Sequence, residues 1–146
     1  MKRDFNAVIY TLEGKPFESE AAVYKRDKTG KVIEEGGQPA IEKPAVPLTL
    51  RRVALDALGS TFESDRGMGG EEKFKLYALA QRIVVASDKK EPVELNEQEI
   101  GTLKKRIGEG WGVFIAGPAY EILNTDYAVA DAAQVVEDVK AETGVR

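Results

Sequence analysis

The sequence contains neither cysteine nor histidine. Without cysteine there is no disulfide, no thiolate nucleophile and no thiolate-bound metal, which excludes the disulfide-stapled class of small secreted domains. Without histidine there is no Ser-His-Asp or Cys-His pair, no imidazole-ligated zinc, and no side chain whose ordinary pKa lies near neutrality. Long hydrophobic runs are missing as well. The most apolar window, GWGVFIAGPAYEIL from Gly110 to Leu123, includes Glu121. As a helix it would extend only about 21 Å, against roughly 30 Å of bilayer hydrocarbon. Length therefore excludes it as a membrane span. Nor is there an excess of positive charge: 21 Lys and Arg stand against 25 Asp and Glu, a net charge of -4. That balance disfavours nucleic acid as a partner unless the basic side chains gather on one face.

What is present describes a folded globule. The chain has 146 residues, of which 42% are hydrophobic and 32% charged, enough to bury a core as a single domain over 1–146. The opening MKRDFNAVIYTLEGK is basic, but its apolar stretch is interrupted by Asn6, Thr11 and Glu13 and no small-residue cleavage site follows. A cytoplasmic protein without a targeting segment is expected. Residues 1–35 read as β-rich. Phe5, Ala7 and Ile9 alternate with Val8, Tyr10 and Leu12, as in a strand between two apolar layers, and Glu13-Gly14-Lys15-Pro16 supplies a turn. A second hairpin is expected around Lys28-Thr29-Gly30, with Gly30 at positive φ. Residues 36–47 carry Gly36, Gly37, Pro39, Pro44 and Pro47 and read as an extended Gly/Pro-rich connector.

The period becomes helical over 48–123, the expected helical core. Thr49 is placed to cap a helix carrying Leu50, Val53, Ala54, Ala57 and Leu58, with Gly59 as its stop. A longer helix follows Glu71-Glu72, with Leu76, Leu79, Ala80 and Ile83 on one stripe. Asn96-x-x-Glu99 is a capping-box pattern ahead of Ile100, Leu103 and Ile107. Lys104, Lys105 and Arg106 then complement the negative helix end, and Gly108-Glu109-Gly110 reads as the turn of an αα-hairpin whose second arm carries Trp111, Phe114, Ile115, Ile122 and Leu123. Pro118 predicts a kink or a fresh start in that arm. Residues 124–146, rich in alanine and valine, predict a C-terminal helix. The expected class is α+β, with an N-terminal β-hairpin or small antiparallel sheet packed on four to five short helices.

The order FNAVIYTLEGKP, LTLRRVALDALG, GGEEKFKLYALAQRI and VELNEQEIGTLKKRIGEGWGVFIAGPAYEIL resembles a group of small bacteriophage accessory proteins. The resemblance covers Phe5 to Pro16 and Leu48 to Leu123, leaving Phe17 to Pro47 as an enlarged insertion and Asn124 to Arg146 as an added tail. It rests on residues that keep a fold, so it implies a phage-encoded accessory protein in the host cytoplasm without implying a reaction.

Motifs with chemical meaning are sparse. GMGGEEK, Gly67 to Lys73, precedes a helix but lacks the spacing and preceding strand of a phosphate-binding loop. Glu94, Glu97 and Glu99, or Asp131, Glu137 and Asp138, could be weighed as a Mg²⁺ site, yet Glu97 and Glu99 do not share a helical face and the second group reads as solvated surface. KKRIGEGWGVF places Lys104 and Lys105 beside Trp111 and Phe114. Core packing and helix capping account for these residues, and so does a partner-binding hairpin tip, since tryptophan is enriched at interface hot spots. The expectation is non-catalytic binding to a phage or host protein through Trp111, Phe114, Lys104 and Lys105, with no cofactor and no metal. A virion or tail-assembly component, a homo-oligomer and a Mg²⁺-dependent carboxylate enzyme remain as alternatives.

Overall fold

The computed structural model of the chain describes residues 1–126. Four α-helices form the body: α1 (Leu50–Gly59), α2 (Gly70–Asp88), α3 (Glu97–Gly110) and α4 (Val113–Asn124). Short antiparallel strand pairs complete an α+β fold. The helix expected over 124–146 lies outside the described residues from 127 onward; Asn124 closes α4.

The helix starts form where local chemistry specifies them. Thr49 accepts a bond from the Arg52 N–H, and Asn96 and Glu99 close a full capping box on α3. The two remaining free N–H groups at the start of α1 are taken by the preceding segment, Leu50 donating to the Ala7 carbonyl at 2.9 Å and Arg51 to that of Phe5 at 2.8 Å. This docks Phe5 and Ile9, both fully buried, beside Leu50 and Val53. Helix α1 is central, packing on α2, α3 and α4. Strand β1 (Lys2–Arg3) pairs with a strand at Val93–Glu94 that links α2 to α3.

The helix ends are completed differently, by side chains far away in sequence. Arg106 of α3, 5% exposed, donates from Nε to the Ala57 carbonyl at 3.0 Å and from Nη2 to that of Ser60 at 2.6 Å, at the end of α1. Its other contacts are bidentate to Asp65 at 2.7 and 3.1 Å, with the Phe62 ring 5.0 Å away. The Arg106 hydrogen bonds hold the Asp65 carboxyl below its ordinary range, helped by the Phe62 N–H. Arg3, also 5% exposed, donates to Leu123 O at 2.7 Å at the end of α4, and Asn6 donates to Ser87 O at 3.1 Å at the end of α2.

Several expectations are corrected. Gly108, Glu109 and Gly110 are the last residues of α3, not a turn, and the reversal falls at Trp111-Gly112. A Cβ at Gly108 would stand 2.7 Å from the Tyr120 hydroxyl and one at Gly110 would stand 2.9 Å from the Phe62 ring, so these glycines serve close packing. Lys104, Lys105 and Arg106 are accordingly not in the last turn. The segment Phe5–Leu12 has one packed side only: Phe5 and Ile9 are buried while Tyr10 and Leu12 are 51% and 83% exposed. Pro118 lies within a continuous α4.

Residues 36–47, expected as an extended connector, form the return limb of a β-arm. Here β2 (Glu18–Glu20) pairs with β7 (Val46–Pro47), β3 (Val23–Tyr24) with β6 (Ile41–Lys43), and β4 (Glu34–Glu35) with β5 (Gln38–Pro39), all antiparallel. Prolines are tolerated because each limb of a two-stranded ribbon has one edge where no ladder N–H is needed. The expected hairpin at Lys28-Thr29-Gly30 is present, with Asp27 N bonded to Lys31 O at 2.9 Å and Gly30 at φ 86°.

Candidate functional site

A concave apolar surface lies between the first hairpin and α4. Thr11 N bonds Lys15 O at 2.7 Å around Gly14, whose φ of 83° closes the turn and leaves Leu12 in solvent. On α4, Ala119 and Leu123 face the core, while Val113 and Phe114 are 80% and 63% exposed. Together with Val8, Tyr10, Pro118 and Ile122 these residues line a groove of about 520 Å³, to which Glu121 adds a carboxylate. Pro118 has no N–H to give the Phe114 carbonyl, so that carbonyl lacks its usual helical donor. The groove therefore combines greasy walls with one charged acceptor, the Glu121 carboxylate.

The residues expected to bind a partner fall in separate neighbourhoods. Phe114 is in the groove. Trp111 caps the end of α3, half-buried against the core, and its indole N–H donates to Val53 O at 3.1 Å. Lys104 bonds the Asn124 side chain and lies 6.0 Å from the Tyr120 ring centre, while Lys105 is exposed on the same helix and helps hold the Asp65 carboxyl down. The structure thus separates Phe114 from the other three and gives it Tyr10 and Leu12 as neighbours. The alternation in sequence sets Tyr10 and Leu12 against a second apolar layer, and the signal against that is the turn at Gly14, which ends the strand too early to be covered.

Two of the carboxylates weighed for Mg²⁺ have other partners. Glu94 meets the N-terminal ammonium at 2.5 Å, and Glu99 pairs with Arg82 while closing the α3 cap. Burial works against the Glu99 carboxylate, but the bonds from Arg82 and Asn96 outweigh it and its pKa is lowered. No group of three metal-binding side chains is gathered among the described residues, and Asp131, Glu137 and Asp138 lie outside them. A second hollow, about 470 Å³, lies over the Arg106–Asp65 pair, whose polar atoms are already engaged with each other and with backbone carbonyls. Among the described residues no helix is long and apolar enough to cross a membrane. Comparison of the chain with protein-family models, with curated proteins and with solved structures finds no match.

Proposed function

We propose that this chain works by non-catalytic binding to another protein, as the phage-encoded accessory factor that its resemblance implies. The observation that carries the reading is the groove, where Tyr10, Leu12, Val113 and Phe114 are exposed together on two elements anchored in the core by Ile9, Ala119 and Leu123. Isolated exposed hydrophobics are ordinary, but a concave cluster of them is the usual form of a peptide-docking site. The Glu121 carboxylate selects the ligand: an apolar segment carrying lysine or arginine, whose cation it can pair with.

Selection from a random peptide library on the immobilised chain tests this. Apolar sequences with one basic residue should be enriched, and Leu12→Ser/Phe114→Ser should lose them more than tenfold while keeping its melting temperature. Enrichment of sequences that bind the double variant equally well would refute the groove. The virion or tail-assembly alternative draws on a different feature, the β-arm, as a contact between copies. For the enzyme alternative, Mg²⁺-dependent thermal stabilisation of the chain is the discriminating measurement.

A further inference from the structure

The β-arm has no layer beneath it. Of its strand residues none is buried, and Ala40, at 6% exposure, is the buried residue of its tip. From Phe17 to Tyr24 the ribbon runs about 23 Å at the ordinary rise per residue. It ends in a three-way junction: Lys25 N donates to Ala40 O at 2.9 Å, Ala40 N to Ile33 O at 2.8 Å and Ile33 N to Lys25 O at 2.9 Å. Two small hairpins branch from that point. Two-stranded ribbons are marginal in water by themselves, and both outer edges of this one are open.

The two hairpins have opposite charge. The first holds Lys25, Arg26, Lys28 and Lys31 around Asp27, whose carboxylate is taken up by the turn, accepting from Thr29 Oγ1 at 2.5 Å, Thr29 N at 2.8 Å and Lys31 N at 3.1 Å. The second holds Glu34 and Glu35 with no lysine or arginine between Ile33 and Pro39. Lys28, Lys31, Glu34 and Glu35 are exposed and in no ion pair among the described residues. Tyr24, Ile33 and Ile41 beside the junction are 40%, 37% and 53% exposed.

We propose that the tip of the arm is a self-association surface, on which two copies of this chain meet with the cationic hairpin of each against the acidic hairpin of the other. A twofold contact requires a surface whose residues complement themselves on rotation, and a patch with adjacent positive and negative lobes meets that requirement twice per interface. A polyanion such as nucleic acid would satisfy the lysines but be repelled by Glu34, Glu35 and nearby Glu42, whereas a second copy satisfies both lobes and covers Tyr24 and Ile41. The inference is independent of the groove and stands or falls separately from it.

Size-exclusion chromatography with light scattering across a concentration series is the test, on the full chain. The wild type should show twice the chain mass. Lys28→Glu/Lys31→Glu and Glu34→Lys/Glu35→Lys should each run at the single-chain mass with unchanged melting temperatures, since all four side chains lie outside the core. An equimolar mixture of the two variants should recover the doubled mass, because each then presents the sign the other lacks. A wild type that remains single at every concentration, variants that stay double, or a mixture that fails to reassociate would each overturn the proposal.

Discussion

Replacing Arg106 with methionine keeps most of the aliphatic stem and removes the guanidinium. Four hydrogen bonds go with it: to Ala57 O, to Ser60 O and the pair to Asp65. Bonds to charged groups contribute about 1.5–3 kcal/mol each, but they share one cation and do not add. The better guide is the loss on breaking a buried ion pair by removing one partner, about 3–5 kcal/mol, because two helix-end carbonyls lose their donor and Asp65 keeps only the Phe62 N–H. We expect Arg106→Met to lose about 3–4 kcal/mol. Urea unfolding followed by Trp111, the only tryptophan, measures this directly. The pH dependence carries a sign. The Asp65 carboxyl lies below its unfolded value of 3.8, so its contribution is fully present above that value and is lost as pH falls through the folded pKa. The variant keeps only the smaller part that the Phe62 N–H and Lys105 supply, so the gap between it and the wild type should be constant near neutrality and narrow below about pH 4. A loss under about 1 kcal/mol, or a gap that widens in acid, would refute the account of Arg106 as the clamp on α1.

Two further outcomes concern single positions in the same body. Gly101→Ala, with open space around the new methyl, should stabilise by about 0.5–1 kcal/mol through helix propensity, whereas Gly108→Ala should lose that gain because its Cβ meets the Tyr120 hydroxyl at 2.7 Å; thermal unfolding of the pair separates them. Trp111→Ala should lower stability by about 2 kcal/mol in urea, less than a fully buried aromatic would, since the ring is half-buried and gives up one bond to Val53 O; a change within about 0.5 kcal/mol would return Trp111 to the role of a free surface anchor.

The parts of this fold that could be read in advance are those whose chemistry is local. Thr49, and Asn96 with Glu99, act within three residues of themselves, so a linear pattern contains both partners. The core stripes of α1 and α3 follow from a period that needs no partner at all. What closes the other ends of the helices could not be read that way. Arg106 sits in a basic triplet that looks like ordinary helix-end charge, and nothing in that stretch points to Ala57 and Asp65. Glycine was ambiguous for a related reason: Gly108 and Gly110 fit a turn as well as a close approach, and only the positions of Tyr120 and Phe62 decide between them. The prolines of 36–47 break a central strand but not a ribbon with open edges, so the arm read as a connector. Of the site, Phe114 was visible as an aromatic near a hairpin, while its neighbours Tyr10 and Leu12 come from more than a hundred residues earlier.

The clamp on α1 has a temporal side. Arg106 follows Ala57 by 49 residues, and at ordinary translation speeds that interval is about 3–10 s. For that time α1 has its final carbonyls facing water or whatever shelters the nascent chain. Arg3 waits longer still, having to meet Leu123, 120 positions later. A polypeptide laced this way gains little from finishing one piece before the next is made, and its body should become resistant to protease in one late step after α4 clears the ribosome.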